Sequence, residues 1–481
     1  MANHQRILLL VSIGVFMSTM DSSMVNVALP TLMRVYGSSL ALTEWVVLIY
    51  LLTITTSLFF WGYFSKGFGQ GIVYSRGLLV FSLGSLLCAL APSIFLLIFF
   101  RLVQAVGASM MMAMGPALIK SSFPREKLGG GLGMVGIATS LGLMTGPAVS
   151  GLLLRWSHWR LIFLVTVPVG LLVYFAARRL LAPVGHLDAG VDAVEKNSFD
   201  LLGGVLYVAS VVLTVLLLSH ATVTSGQPDR FLQQVYSVFA VLVAWGIFIF
   251  HERRTRNPLF PVTLFKRSFF TMAMLSAMLS FTVLFFVLLL IPFYLSSVRQ
   301  LPPDQVGYFM MAVPLCVFFI APLAGRLHDA IGARIIASFG LACCLISILL
   351  LTRISVWSSG YFIVFCLSLL GFGQAMFLAP NSAAALSGVS REQSGITSSL
   401  LATSRNMGML LGTALAGFLF AHVYARLTGG MDIKDFTLEQ APQFVQALQQ
   451  TYLACSLLAA VAVIASLLRG KEKENGESYL N

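Results

Sequence analysis

Charge is what this sequence has least of. Only 10% of its 481 residues are Asp, Glu, Lys or Arg, and the acids number 18, whereas an ordinary soluble domain carries about 25% charged residues. So few charges cannot cover a water-facing surface of this size. With 58% hydrophobic residues and a mean hydropathy of +0.90, disorder, a coiled coil and a soluble enzyme are all excluded. No GxxxxGK[ST] loop is present to cradle a nucleotide, so ATP is not the expected energy source. HExxH and GxSxG are missing too, and no cysteine or histidine cluster has metal-ligand spacing. The expectation is a chain that is not an enzyme and holds neither cofactor nor metal. Its six cysteines lie inside apolar stretches, where they read as small hydrophobes with no disulfide framework.

The apolar residues come in blocks of about 18 to 28, the length that crosses roughly 30 Å of hydrocarbon. Fourteen blocks are counted, centred near residues 18, 52, 82, 105, 141, 168, 209, 242, 281, 315, 343, 369, 407 and 459. The predicted fold class is an all-α polytopic membrane protein of fourteen transmembrane helices. The first block is too long for a signal-peptide core and lacks a small-residue cleavage site, so it reads as a retained span. If both termini are inside, twenty of the thirty Lys and Arg residues fall in inside segments and eight outside, with Arg101 and Arg405 left within spans. The positive-inside rule then places both termini in the cytoplasm, and the basic excess of +12 needs no nucleic-acid partner. The outside segment 427–447 is expected to form a short amphipathic interfacial helix through Phe444, Val445 and Leu448.

A repeat runs through the chain. Gly62 and Gly69 recur as Gly325 and Gly332 at an offset of 263, and Gly107 and Pro116 recur as Gly371 and Pro380 at 264. Gly142, Gly146 and Gly151 recur as Gly408, Gly412 and Gly417 at 266. The unit is six spans, giving a 6 + 2 + 6 plan: a first bundle over 1–182, a cytoplasmic linker with two inserted helices over 183–256, and a second bundle with a tail over 257–481. Two parallel halves around a central cavity are the ground plan of alternating-access carriers. The glycine stripes suit either close helix packing or a sliding surface between halves.

Several of these segments resemble one family. MDSSMVNVALP (Met20 to Pro30) and TEWVVLIYLL (Thr43 to Leu52) resemble the first two spans of the fourteen-span drug:proton antiporters of the EmrB/QacA type, a branch of the major facilitator superfamily. RLVQAVGA (Arg101 to Ala108) is similar to that superfamily's fourth-span Arg-x-x-Gln-Gly-x-Gly element, with Ala105 for the first Gly. GLMTGPAVSG (Gly142 to Gly151, with Pro147) resembles the antiporter motif Gly-x-x-x-Gly-Pro-x-x-Gly-Gly apart from Ser150, and Gly395 to Gly412 is similar to the thirteenth span. The resemblance covers nearly the whole chain. It implies a major facilitator fold with a pseudo-twofold repeat, and a proton-coupled exporter of amphipathic compounds in a bacterial cytoplasmic (inner) membrane. A lipid or lipid-precursor flippase on the same fold, or an exporter of one specific metabolite, is the alternative. The implied partners are an amphipathic small molecule, protons and the bilayer, for a chain acting as a monomer. Some Gram-negative members also engage a periplasmic adaptor, for which 427–447 is the only outside segment large enough.

One motif departs from the family pattern. The loop after the second span normally carries an Asp and Arg that latch the outward-facing state; here it reads GYFSKGFGQG, with Lys66 in place of the Asp. The second-half loop GRLHDAIGAR keeps Asp329 and Arg334. The first latch is therefore expected to be weakened, or Lys66 to pair with Glu126, Asp200 or Glu195.

An ionisable group inside a span costs roughly 2.5–3.5 kcal/mol on insertion scales and is a functional candidate by default. Asp21 is the one acid squarely inside an apolar block. It is read as the proton-coupling carboxylate, or else as a helix-kink cap or a permanent ion-pair partner. Arg101, with Gln104 three residues on along the same helical face, needs an acceptor or a watery cavity. The resemblance implies a role beside Asp21 in proton transfer. Asn26, Glu44, Gln104, Met112, Gln374, Asn381, Arg405 and Asn406 complete the substrate-cavity candidates. Of these, Glu44 is otherwise a solvated rim residue, Met112 in its run of methionines plain packing, and Asn26, Gln374 and Asn381 inter-helix ties. If Asp21, Arg101 and Arg405 all face the cavity, its charge is +1 with the acid ionised and +2 with it protonated. Neutral, zwitterionic or weakly acidic substrates are then expected over dications.

Overall fold

In the computed structural model the described residues are 3–123, 128–156, 158–181, 200–220, 229–255, 258–260, 262–387 and 394–469. They contain fourteen helices long and apolar enough to cross a bilayer, matching the count from sequence. The first six are α1 (His4–Tyr36), α2 (Leu40–Ser65), α3 (Gln70–Leu90), α4 (Ile94–Ser122), α5 (Ile137–Trp156) and α6 (Leu161–Leu181). Next come α7 (Leu201–Ser219) and α8 (Tyr236–Arg254), then α9 (Ser268–Val298), α10 (Pro303–His328) and α11 (Ala333–Leu351). The last three are α12 (Gly360–Leu386), α13 (Thr397–Thr428) and α14 (Leu438–Leu467). With fourteen crossings the two ends of the described chain share one face, called here the near face.

The repeat has a packing counterpart. A methyl group at Gly142 or Gly146 on α5 would run into the α1 backbone at Phe16 and Met20. At Gly408 or Gly412 on α13 it would run into the α9 backbone at Met278 and Thr282. Fifth helix against first is thus built the same way in each half, by glycines that let backbones touch. Gly77 on α3 lies against Gly107 on α4, and Gly340 on α11 against Gly373 on α12. At the near face Gly69 and Gly332 both take positive φ, 85° and 86°. Each amide closes the preceding helix, on Ser65 O and His328 O. Only glycine adopts that backbone without steric cost. Gly62 and Gly325 are different, because an added methyl would meet nothing at either.

α7 packs on α8 and reaches α2 in the first half and α13 in the second. Rings of Phe59, Tyr207, Phe248 and Phe260 join it to the start of the second half. α8 exposes Tyr236, Phe239 and Leu242 along its outer side, as expected of a lipid-facing helix. Asp200, proposed above as a partner for Lys66, is occupied: His251 Nε2 is 2.9 Å from its carboxylate and Gly203 N–H donates to it. The Lys66 and Asp329 side chains, Glu126, Glu195, the 183–199 linker and the tail beyond residue 469 lie outside the described residues; Arg334 is exposed.

One expectation is corrected. Phe444, Val445 and Leu448 do not make an interfacial helix. They form the buried far end of the continuous helix Ala441–Leu467. Phe444 packs against Phe420, Tyr424 and Phe436, so the amphipathic pattern there records burial against α13 and not a membrane surface.

Candidate functional site

Asp21 lies mid-way along α1, where the glycine contacts of α5 hold the helix, and it is fully buried. Arg101 and Gln104 project from one face of α4 towards it. Arg101 Nη1 donates to Asp21 Oδ2 at 2.6 Å and to Gln104 Oε1 at 2.7 Å. Gln104 Nε2 donates to Asp21 Oδ1 at 2.9 Å and to Ser85 Oγ on α3 at 2.7 Å. Both carboxylate oxygens are therefore engaged. The guanidinium is held further by Nε donating to Val46 O at 3.1 Å and by the Tyr50 ring, 4.1 Å from Cζ to the centroid. Tyr50 is in turn fixed by a 3.1 Å contact between its hydroxyl and Ser18 Oγ.

Such a buried pair keeps its charges only while every lone pair and proton finds a partner. Adding a proton to Asp21 would remove the charge that Arg101 faces and turn an acceptor oxygen into a donor. The network would then have to rearrange. All of its members, Asp21, Ser85, Arg101 and Gln104, lie within the first half.

The other candidates separate into distinct places. Gln374 on α12 is tied to α9, accepting from Ser280 Oγ at 3.0 Å and donating to Ser280 O at 2.9 Å. Asn381 donates to Ala273 O, and its backbone carbonyl accepts from Arg469, both at 3.3 Å, as a near-face tie. Met112 packs against the apolar cluster of α1, α3 and α4. Asn26 and Asn406 are buried. Arg405 donates to Ser382 on α12 and lies 5.9 Å from the Phe281 ring. Its Nε lacks a hydrogen-bond partner, and no ion pair among the described residues includes it.

Glu44 is neither solvated nor grouped with Arg101. It sits at the bend where the first turn of α2, capped by Ser39, meets the rest of the helix. It is fully buried against Gly417 of α13. Gly151 and Gly417, repeat-related positions, thus both lie on the seam between halves at the far face; Gly151 abuts Pro303 and Asp304 at the start of α10. Pro147 O faces Gly307 in the same contact, and Arg155 of α5 pairs with Asp304.

Sequence reasoning missed this Arg155–Asp304 bridge between halves. The two residues stand 149 apart in the chain, and a Pro-Pro-Asp start to a helix signals only a first-turn acid. Because Asp304 is buried while Arg155 is half exposed, removing the arginine strands the acid. Arg155→Ala is expected to loosen this contact between halves and raise the exposure of residues along it several-fold. Cysteine-accessibility labelling at the far face checks this, and labelling unchanged from wild type would contradict it.

The family model described as Major Facilitator Superfamily matches residues 11–413 and again 273–478. The chain belongs to the major facilitator superfamily. Among relatives of this transporter, the riboflavin transporter RibZ of Clostridioides difficile (strain 630) is 30% identical over 461 residues, covering 96% of each chain. The multidrug resistance protein Stp of Mycobacterium tuberculosis (strain CDC 1551 / Oshkosh) is 30% identical over 423 residues, 87% of this chain and 76% of that one. A bacterial homologue of the human lysosomal transporter Spinster, solved inward-facing and unoccupied, aligns with a TM-score of 0.68 at 14% identity over 97% of both chains. That likeness carries the fold alone.

Proposed function

We propose that this major facilitator protein is a proton-coupled exporter of amphipathic small molecules. It works by alternating access in a bacterial inner membrane with both termini cytoplasmic. The observation that carries the reading is the Asp21–Arg101–Gln104 network, a titratable acid fully enclosed in the membrane interior with every oxygen matched to a donor. An intramembrane acid at such cost is retained for work, and proton relays are built from such groups. Asp21 is the proton site and Arg101 its counter-ion. One charge crossing 100 mV supplies about 2.3 kcal/mol of driving energy.

Substrate charge follows from what remains unneutralised. Asp21 and Arg101 cancel, and no ion pair among the described residues includes Arg405. With Glu44 set apart at the far-face seam, neutral or weakly acidic amphipaths fit that balance better than dications, which need extra acids facing the substrate. The multidrug relative supports a broad substrate range. The riboflavin transporter, alike over nearly its whole length, supports a second reading: a carrier for one planar, uncharged metabolite.

The test is retention of riboflavin and of matched cationic and anionic dyes in cells lacking their own exporters. Wild type is expected to expel riboflavin or the anionic dye, and an uncoupler to stop it. Strong export of a bis-cationic dye would refute the charge argument. Export of nothing by well-expressed protein would leave lipids or another metabolite as the cargo.

A further inference from the structure

We propose that Glu44 is a second proton site, separate from Asp21, and that the seam between the halves at the far face closes only when its carboxyl group holds a proton. Glu44 is fully buried, and neither carboxylate oxygen has a hydrogen-bond partner. Its carboxyl lies so close over the Gly417 backbone that a methyl group at that position would land on it. The acid of one half is thus seated on the bare backbone of the other.

On α1, α4 and α13 the charged side chains nearest this end are held by other groups or exposed, and His422 packs on a ring. On α1, Asp21 is held by Arg101 and Arg34 is exposed. On α4, Arg101 spends its Nε on Val46 O and its Nη1 on Asp21 and Gln104. On α13, Arg405 donates to Ser382, His422 lies beside the Phe418 ring, and Arg426 donates to Gln450. The polar groups beside Glu44 in the chain are neutral: Ser38, before α2, and Thr43 bond each other at 2.7 Å.

An ionised carboxylate without donors or a counter-ion is costly to enclose, whereas the neutral acid costs far less. When the halves part at this face, water reaches Glu44 and it ionises. For the seam to re-form, the group must take a proton from the far side, the outside by the basic-residue count. External acid therefore drives closure. Proton loading of Glu44 makes the return of the carrier conditional on an inward-bound proton, which suppresses empty return. The inference rests on the alternating-access reading above, though not on the role of Asp21.

The experiment uses the full chain in liposomes, with spin labels at exposed Val35 and Trp357, one on each half at the far face, in a background free of native cysteines. Closure linked to one proton changes the closed-to-open ratio by up to about tenfold per pH unit, with closure favoured as pH falls. Wild type is expected to show that shift in its distance distribution. Glu44→Gln is expected to stay closed in both mildly acid and mildly alkaline buffer, and Glu44→Asp to retain a pH response. A full wild-type response in Glu44→Gln overturns this inference alone. A distance that never changes, in any variant or with substrate present, overturns the alternating-access reading and this one with it.

Discussion

Asp21→Asn is expected to reduce proton-driven transport to background. Stability should fall as well, because Arg101 is left as a buried cation facing an amide. Asn has one acceptor oxygen where Asp21 offers two, so either Arg101 Nη1 or Gln104 Nε2 loses its bond to residue 21 and keeps only its other acceptor. Breaking one side of a buried pair typically costs 3–5 kcal/mol. Loss of transport alone would thus be open to a folding explanation. The double variant Asp21→Asn with Arg101→Gln separates the two, because removing both charges leaves a neutral, hydrogen-bonded cluster. It is expected to recover most of the lost stability, measured by denaturant titration in detergent, and none of the proton-driven transport. Recovered transport in the double variant would mean that Asp21 and Arg101 are a structural tie.

The second large effect is steric. Gly107→Leu is expected to lower stability by about 3 kcal/mol or more, beyond the usual range for one overpacked site, and to cut the yield of folded protein sharply. The first carbon of the new side chain would fall on the α3 backbone, 2.6 Å from Gly77 O and 2.7 Å from Phe81 Cα. Backbone atoms inside a helix cannot rotate aside, so α3 and α4 would have to separate. Ser85 on α3 would then move away from Gln104, and the site would loosen with the fold. Gly246→Leu on α8 is the matched control, since nothing lies within 4 Å of the added carbon; its stability should stay within about 0.5 kcal/mol of wild type. Size-exclusion profiles and denaturant midpoints of the two variants decide the matter, and equal behaviour would contradict the account.

Both effects trace to features legible in the sequence. Fourteen spans could be counted because crossing hydrocarbon demands long apolar runs. Asp21, Arg101 and Gln104 stood out because polar groups are rare there, and the family resemblance put Arg101 beside Asp21. The offset glycines pointed to a repeat, and the structure gives Gly142 and Gly408 the same neighbour, the first helix of their own half. The seam was not legible. Glu44 stands near the end of a span, where an acid is ordinarily solvated, and nothing in its neighbourhood shows that Gly417 covers it from 373 residues away. Asp304 and Arg155 were hidden for the same reason. In the last loop, glutamines at 443, 446, 449 and 450 broke the apolar run and disguised the start of α14, although Pro442 at its first turn marks it.

The most direct test of the central claim is a simultaneous record of substrate and proton movement in proteoliposomes, with riboflavin and an anionic amphipath as probes and a pH-sensitive dye inside. If the account is right, an imposed pH gradient drives one of these compounds against its own gradient, protons move the opposite way, and Asp21→Asn abolishes both. Substrate running down its gradient with no proton movement, or Asp21→Asn coupling as wild type does, would contradict it.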